Sequence, residues 1–108
     1  MLRFQVTASA LADYHSLSHN QRELFKTAVG KFNDGADRFV STGHPSSWPK
    51  ALRVKSVARA PGVFEMTWSL AGPDRRATWE WASVSIEGKS HPAVRWRRIG
   101  DHRILFDP

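Results

Sequence analysis

A chain of 108 residues with 41% hydrophobic residues has room for one core and enough apolar material to fill it, which argues against wholesale disorder and for a single domain over these residues. The formal net charge of +6 points to a polyanionic or acidic partner, since lysine and arginine gain free energy by displacing counterions from phosphates. With no cysteine there is no disulfide and no thiolate metal site, and no apolar run approaches a membrane span.

The N-terminal stretch alternates Leu2, Phe4 and Val6 with Arg3, Gln5 and Thr7, the period of a strand with one buried face. Thr7 or Ser9 then caps a short helix carrying Ala10, Leu11, Tyr14 and Leu17. Ser18 to Gln21 reads as a capping box, and Leu24, Phe25, Ala28 and Phe32 form the apolar stripe of a second helix that is expected to fray near Gly35. Ser41 to Lys50 is rich in turn formers and reads as a loop.

Beyond that loop the period changes to two. Strands are expected over 51–57, 62–70, 75–84 and 93–99, with a turn at 71–74 and a break at 87–92. Phe64, Met66 and Trp68 face inward and Glu65 and Thr67 outward, while Trp79 and Trp81 share a face. The order β-α-α-β-β-β-β predicts a single α+β domain over 1–108, a helical hairpin packed on one face of a twisted, mainly antiparallel sheet. In a domain this small most of the five tryptophans belong to the core, and those left exposed would stack on bases.

The chemistry gathers on the polar face of that sheet. Arg53 and Lys55 share a side of one strand, Glu65 lies on the next, Arg76 at the far turn, and Arg95, Arg97 and Arg98 on the last strand, followed by His102 and Arg103. Arginine suits such a surface because its planar fork binds phosphate oxygens in pairs. His102, beside this cluster, has the side chain suited to general acid–base work near neutral pH. Glu65 reads as the cross-strand partner of an arginine, or alternatively as a general base. His15 and His19 straddle the break between the helices, and no carboxylate completes a metal site with them.

Three stretches carry a family resemblance. VTASALADYHSL (6–17), LRVKSV with GVFEMTW (52–68) and VRWRRIGDHRIL (94–105) resemble, in this order, the RelE/ParE superfamily of bacterial type II toxins over nearly the whole chain. The closing Trp-Arg-Arg-Ile-Gly-x-His is the most specific of the three. The resemblance implies the fold already expected, a neighbouring antitoxin protein as partner, no cofactor and a cytoplasmic bacterial location. For RelE-like members it implies cleavage of mRNA on the ribosome, with contacts to 16S rRNA, by attack of a 2′-OH on the adjacent phosphate without a metal. ParE-like members instead inhibit DNA gyrase and use no catalytic set, and a further alternative is an inactive nucleic-acid-binding member of the fold.

Carried over by position, Lys55 and Arg98 are expected on the phosphate and His102 as acid or base, with Glu65 as the other candidate base. Arg53, Arg76, Arg95, Arg97 and Arg103 are the supporting substrate contacts. Two departures stand out. The family's C-terminal tyrosine has no counterpart, because Phe106 occupies that neighbourhood and the sole tyrosine is Tyr14; and Glu65 stands where many members carry an arginine.

Overall fold

The computed structural model describes residues 3–44, 48–69 and 74–108. Strand β1 (Arg3–Val6) leads into helix α1 (Ala8–Ser16) and the long helix α2 (His19–Thr42). A 3-10 turn at Lys50–Leu52 precedes β2 (Lys55–Ser56), β3 (Val63–Ser69), β4 (Arg75–Ile86) and β5 (Lys89–Asp101), and a second 3-10 turn, His102–Phe106, follows. The five strands form one sheet in the order β1-β5-β4-β3-β2, antiparallel except for the parallel β1–β5 pair. The chain is therefore α+β, with two helices packed on a five-stranded mixed sheet.

Both helices start where side-chain oxygens satisfy their first N–H groups. Thr7 Oγ1 accepts from Ala10 N–H, and Ser18 with Gln21 forms the reciprocal capping box. The stripe of α2 then buries Phe25, Ala28 and Phe32 against Met66 and Trp68 of β3, Trp79 of β4 and Trp96 of β5. Phe32 is fully buried, its ring 5.0 Å from that of Trp79 and 4.9 Å from that of Trp96.

Several expectations are corrected. Helix α2 does not fray at Gly35 but runs on to Thr42, ending where Gly43 takes a left-handed conformation and donates its N–H to Phe39 O. Gly35 is instead a contact point: a Cβ there would stand 2.5 Å from Trp48 Cδ1, so the absent side chain lets the indole lie on the helix backbone. The strand expected over 51–57 shrinks to two residues. Leu52 reaches the core from a 3-10 turn, and Arg53, at φ 48°, closes that turn in a left-handed conformation that an extended strand does not allow.

Strands β4 and β5 are longer than expected because the stretch 87–92 is not a break. Glu87 and Gly88, both at positive φ, make a two-residue hairpin turn, and the ladder continues on both sides of it. The turn expected at 71–74 lies outside the described residues save for Asp74, and Leu2 lies outside them as well. Phe4 and Val6 do alternate, yet they are 39% and 54% exposed, because β1 is the edge of the sheet and the helices cover it only in part. Among the described residues no helix is long and apolar enough to cross a membrane.

Candidate functional site

The face of the sheet away from the helices carries the residues with chemistry. Because Met66, Trp68, Ala77, Trp79, Val94 and Trp96 point to the helices, alternation sends Glu65, Thr67, Arg76, Thr78, Glu80, Arg95 and Arg97 to the other side. The two strands do not stay in step. Thr78 pairs with Arg98 and Trp79 with Trp96, so Arg97 is the extra residue of a β-bulge. The bulge re-aims Arg98 relative to Arg95 and Arg97.

Register places Lys55, Glu65, Thr78 and Arg98 in one row across four strands. The ends of that row, Lys55 and Arg98, are three strand spacings apart, about 14 Å at roughly 4.8 Å per step. Each turns to its own carboxylate. Lys55 Nζ lies 4.0 Å from Glu65 Oε1, and Arg98 Nε donates to Asp13 Oδ2 on α1 at 2.8 Å. Asp13 also accepts from Ile99 N–H at 3.0 Å. It does so just past the end of β1, whose last residue, Val6, pairs with Trp96, so the carboxylate takes over where the edge strand stops. The hydrogen bond that Arg98 donates to Asp13, working against burial, raises the guanidinium above its ordinary range.

The remaining candidates fall into three groups. Arg76 is buried, donating to Thr67 Oγ1 and to Asp74 Oδ2, with its Nε 3.8 Å from the equally buried Glu65. Arg95 and Arg97 grip one carboxylate from two sides, their Nη1 atoms 2.9 and 2.5 Å from the oxygens of Glu80. Burial pushes Glu80 up, but the hydrogen bonds from Arg97 and Arg95 outweigh it and hold the carboxyl below its ordinary value. Arg53 is exposed in the turn before β2, off the row that holds Lys55. The expected basic face is thus a face of paired charges, whose partners Asp13, Asp74 and Glu80 carry no motif that would single them out in the sequence.

At the end of β5 a cleft of about 510 Å³ opens between the α1–α2 junction and the final 3-10 turn. Arg75, Arg98 and Arg103 line it with Asp13, Gln21 and Asp101. The turn is anchored by Asp101, which caps it through Arg103 N–H at 2.9 Å and binds the Arg103 guanidinium at 2.8 Å. Ile104 folds back against Gly100, where a Cβ would stand 2.9 Å from its Cγ2. His102 is exposed at the start of this turn, between Asp101 and Arg103 in the chain, and is not itself in the cleft wall. Among the described residues no three His, Asp or Glu side chains are grouped to hold a metal ion.

The cap has a consequence for acid stability. The Arg103 side chain, followed by its backbone N–H, holds the Asp101 carboxyl down to about 2. A depressed carboxyl stabilises the fold fully above its unfolded value near 4 and loses that contribution as pH falls toward 2. Urea midpoints measured at about pH 5 and about pH 3 should therefore fall more in the wild type than in Asp101→Asn. An equal fall in both would show that the cap carries no pH dependence.

No family model matches the chain, and no curated protein or solved structure is significantly similar to it.

Proposed function

We propose that this chain is a RelE/ParE-type toxin of a bacterial toxin–antitoxin pair, acting in the cytoplasm as a ribosome-dependent endoribonuclease. The observation that supports this reading is the cleft at the end of β5, lined by Arg75, Arg98 and Arg103, the last two from the closing motif of the sequence, in which His102 directly precedes Arg103. The chemistry asked of it is modest. A 2′-OH loses its proton to a base and attacks the adjacent phosphorus; the 5′ oxygen leaves and takes a proton from an acid; arginines stabilise the charge that gathers on the phosphate oxygens. His102 is the acid or base in this scheme, Arg98 and Arg103 hold the phosphate, and Lys55 with Glu65 forms a second charged site on the same sheet. A cognate antitoxin has an apolar place to lie, a groove of about 380 Å³ walled by Phe4, Val6, Leu11, Tyr14 and Trp96 beside the free edge of β1.

One observation favours a non-catalytic reading, inhibition of DNA gyrase. Arg98, Arg103, Arg95, Arg97 and Arg76 are each already bonded to a carboxylate, which suits a surface that binds better than one that must release its cations to a reacting phosphate. Induced expression of wild type and His102→Ala, with primer extension on a translated message, separates the two. Codon-phased cuts that fall by about a hundredfold or more in the variant are expected, the size of effect typical for a lost general acid or base. Growth arrest without cuts, equal in both proteins, would overturn the nuclease reading in favour of gyrase inhibition, and absence of arrest from folded protein would overturn both.

A further inference from the structure

The three arginines that line the cleft at the end of β5 are not equivalent. Arg98 spends its fork on Asp13, with Nε 2.8 Å from Oδ2, and on Asp107 O at 3.1 Å. Arg103 closes on Asp101 through Nε and Nη2. Arg75 has no such partner. All ten Asp and Glu residues of the chain lie among the described residues, and none of them is within ion-pair distance of Arg75. The neighbouring Asp74 turns to Arg76 instead, at 3.2 Å.

The strand places Arg75 in that position. Arg76 lies on the face away from the helices, so alternation sends Arg75 to the helix side, where the α1–α2 junction forms the other wall of the cleft. Register sets Arg75 directly across from Asp101. The Asp101 carboxyl is lowered first by the Arg103 side chain and backbone N–H, and the charge of Arg75 adds the smallest share, so Arg75 is a neighbour of that carboxylate and not its partner. Arg75 is also half-buried, which makes a charge contact there stronger than one in open water. Of the side chains lining the cleft, Arg75, Arg98 and Arg103 carry positive charge and Asp13 and Asp101 negative charge. One positive charge is left over, and it is the unpaired one on Arg75. Asp107 is 98% exposed and outside the cleft wall, where solvent screens it.

We propose that Arg75 is the primary anion contact of this cleft, and that the cleft takes one phosphodiester group, whose two non-bridging oxygens the Arg75 fork binds as a pair. The charge balance selects the diester. A phosphodiester carries one negative charge and cancels the surplus. A phosphate monoester carries about 1.5–2 negative charges at neutral pH, and the excess would face the carboxylates of Asp13 and Asp101. This rests on the ribonuclease reading above and refines it. Arg98 and Arg103 flank the group, held by their own carboxylates, and Arg75, a residue outside the closing motif, makes the first contact.

The test is titration of the intact chain with the thymidine dinucleotide TpT, whose phosphodiester has no neighbouring 2′-OH and cannot be cut, and with TMP and inorganic phosphate. Backbone and arginine Nε–H signals in NMR follow it, for wild type, Arg75→Gln and Lys89→Gln. Lys89 is exposed at the far end of β5, so its variant removes the same charge away from the cleft. TpT is expected to shift the Arg75 Nε–H signal saturably and to bind Lys89→Gln as it binds the wild type. Its binding to Arg75→Gln should be about tenfold weaker, the loss of one charge-assisted contact. Arg75 has no ion pair to break, so Arg75→Gln should melt with the wild type; if it does not fold, the Arg75 signal and the preference for TpT in the wild type carry the test. Equal affinity of Arg75→Gln and wild type for TpT, TMP or phosphate bound as tightly as TpT, or no binding at all would each overturn the proposal. The two readings fail separately: TpT binding through Arg75 without codon-phased cutting sinks the nuclease alone, and cutting that survives Arg75→Gln unchanged sinks this site alone.

Discussion

Phe32→Ala should remove a large share of the stability of the fold. The side chain is fully buried, and its ring lies within 5.6 Å of Trp48, 5.0 Å of Trp79 and 4.9 Å of Trp96. It therefore joins helix α2 to the long loop and to two strands at once. Truncating such a phenylalanine costs about 3–5 kcal/mol, the lost transfer energy plus the cavity that rigid indoles cannot collapse to fill. A domain of this size holds only about 5–15 kcal/mol in total. At about 4–8 °C per kcal/mol, the melting temperature should drop by roughly 15–30 °C. Urea unfolding followed by circular dichroism measures it without relying on the tryptophans. A loss below about 1 kcal/mol would mean that the aromatic cluster repacks freely.

Arg76→Met should cost nearly as much, for an electrostatic reason. Arg76 and Glu65 are both buried, at 7% and 5% exposure, and the guanidinium also serves Thr67 and Asp74. Removing it leaves the Glu65 carboxylate in a dry site where, among the described residues, Lys55 at 4.0 Å is the remaining ion-pair partner. Breaking one side of a buried pair costs about 3–5 kcal/mol, because the surviving charge is stranded. Adding Glu65→Gln to Arg76→Met should restore most of that loss, since both charges are then gone. The cycle bears directly on what Glu65 is for. Strong coupling marks it as the structural partner of Arg76, whereas additive losses would show a carboxylate that stands alone and would return it to the list of candidate bases.

The pairing of Glu65 with a buried arginine was legible in outline, because alternation along GVFEMTW put the carboxylate on the polar face next to basic strands. Its burial was not legible. A strand pattern says which face a residue occupies but not how tightly its neighbours close over it, and here buried Arg76 lies 3.8 Å from the carboxylate. The caps at Thr7 and Ser18 were readable because a helix start is a local matter of a few residues. The end of α2 was misread because two glycines compete for that role. Gly35 is explained by an indole arriving from a distant loop, and only Gly43 takes the left-handed conformation.

The sequence by itself determined the class of the fold, the element order and the apolar stripes, because side-chain period and capping are short-range properties of the chain. It also determined that arginine and histidine would crowd the end of the last strand. Tertiary structure alone decided which of those charges share a site. Partners such as Asp13 for Arg98 and Glu80 for Arg95 and Arg97 come from other elements. A one-residue bulge at Arg97, set by how β4 and β5 slide past each other, shifts the alternation so that Arg98 pairs with Thr78. Pairing energies fall steeply with distance, and distance between elements is what a one-dimensional pattern does not contain.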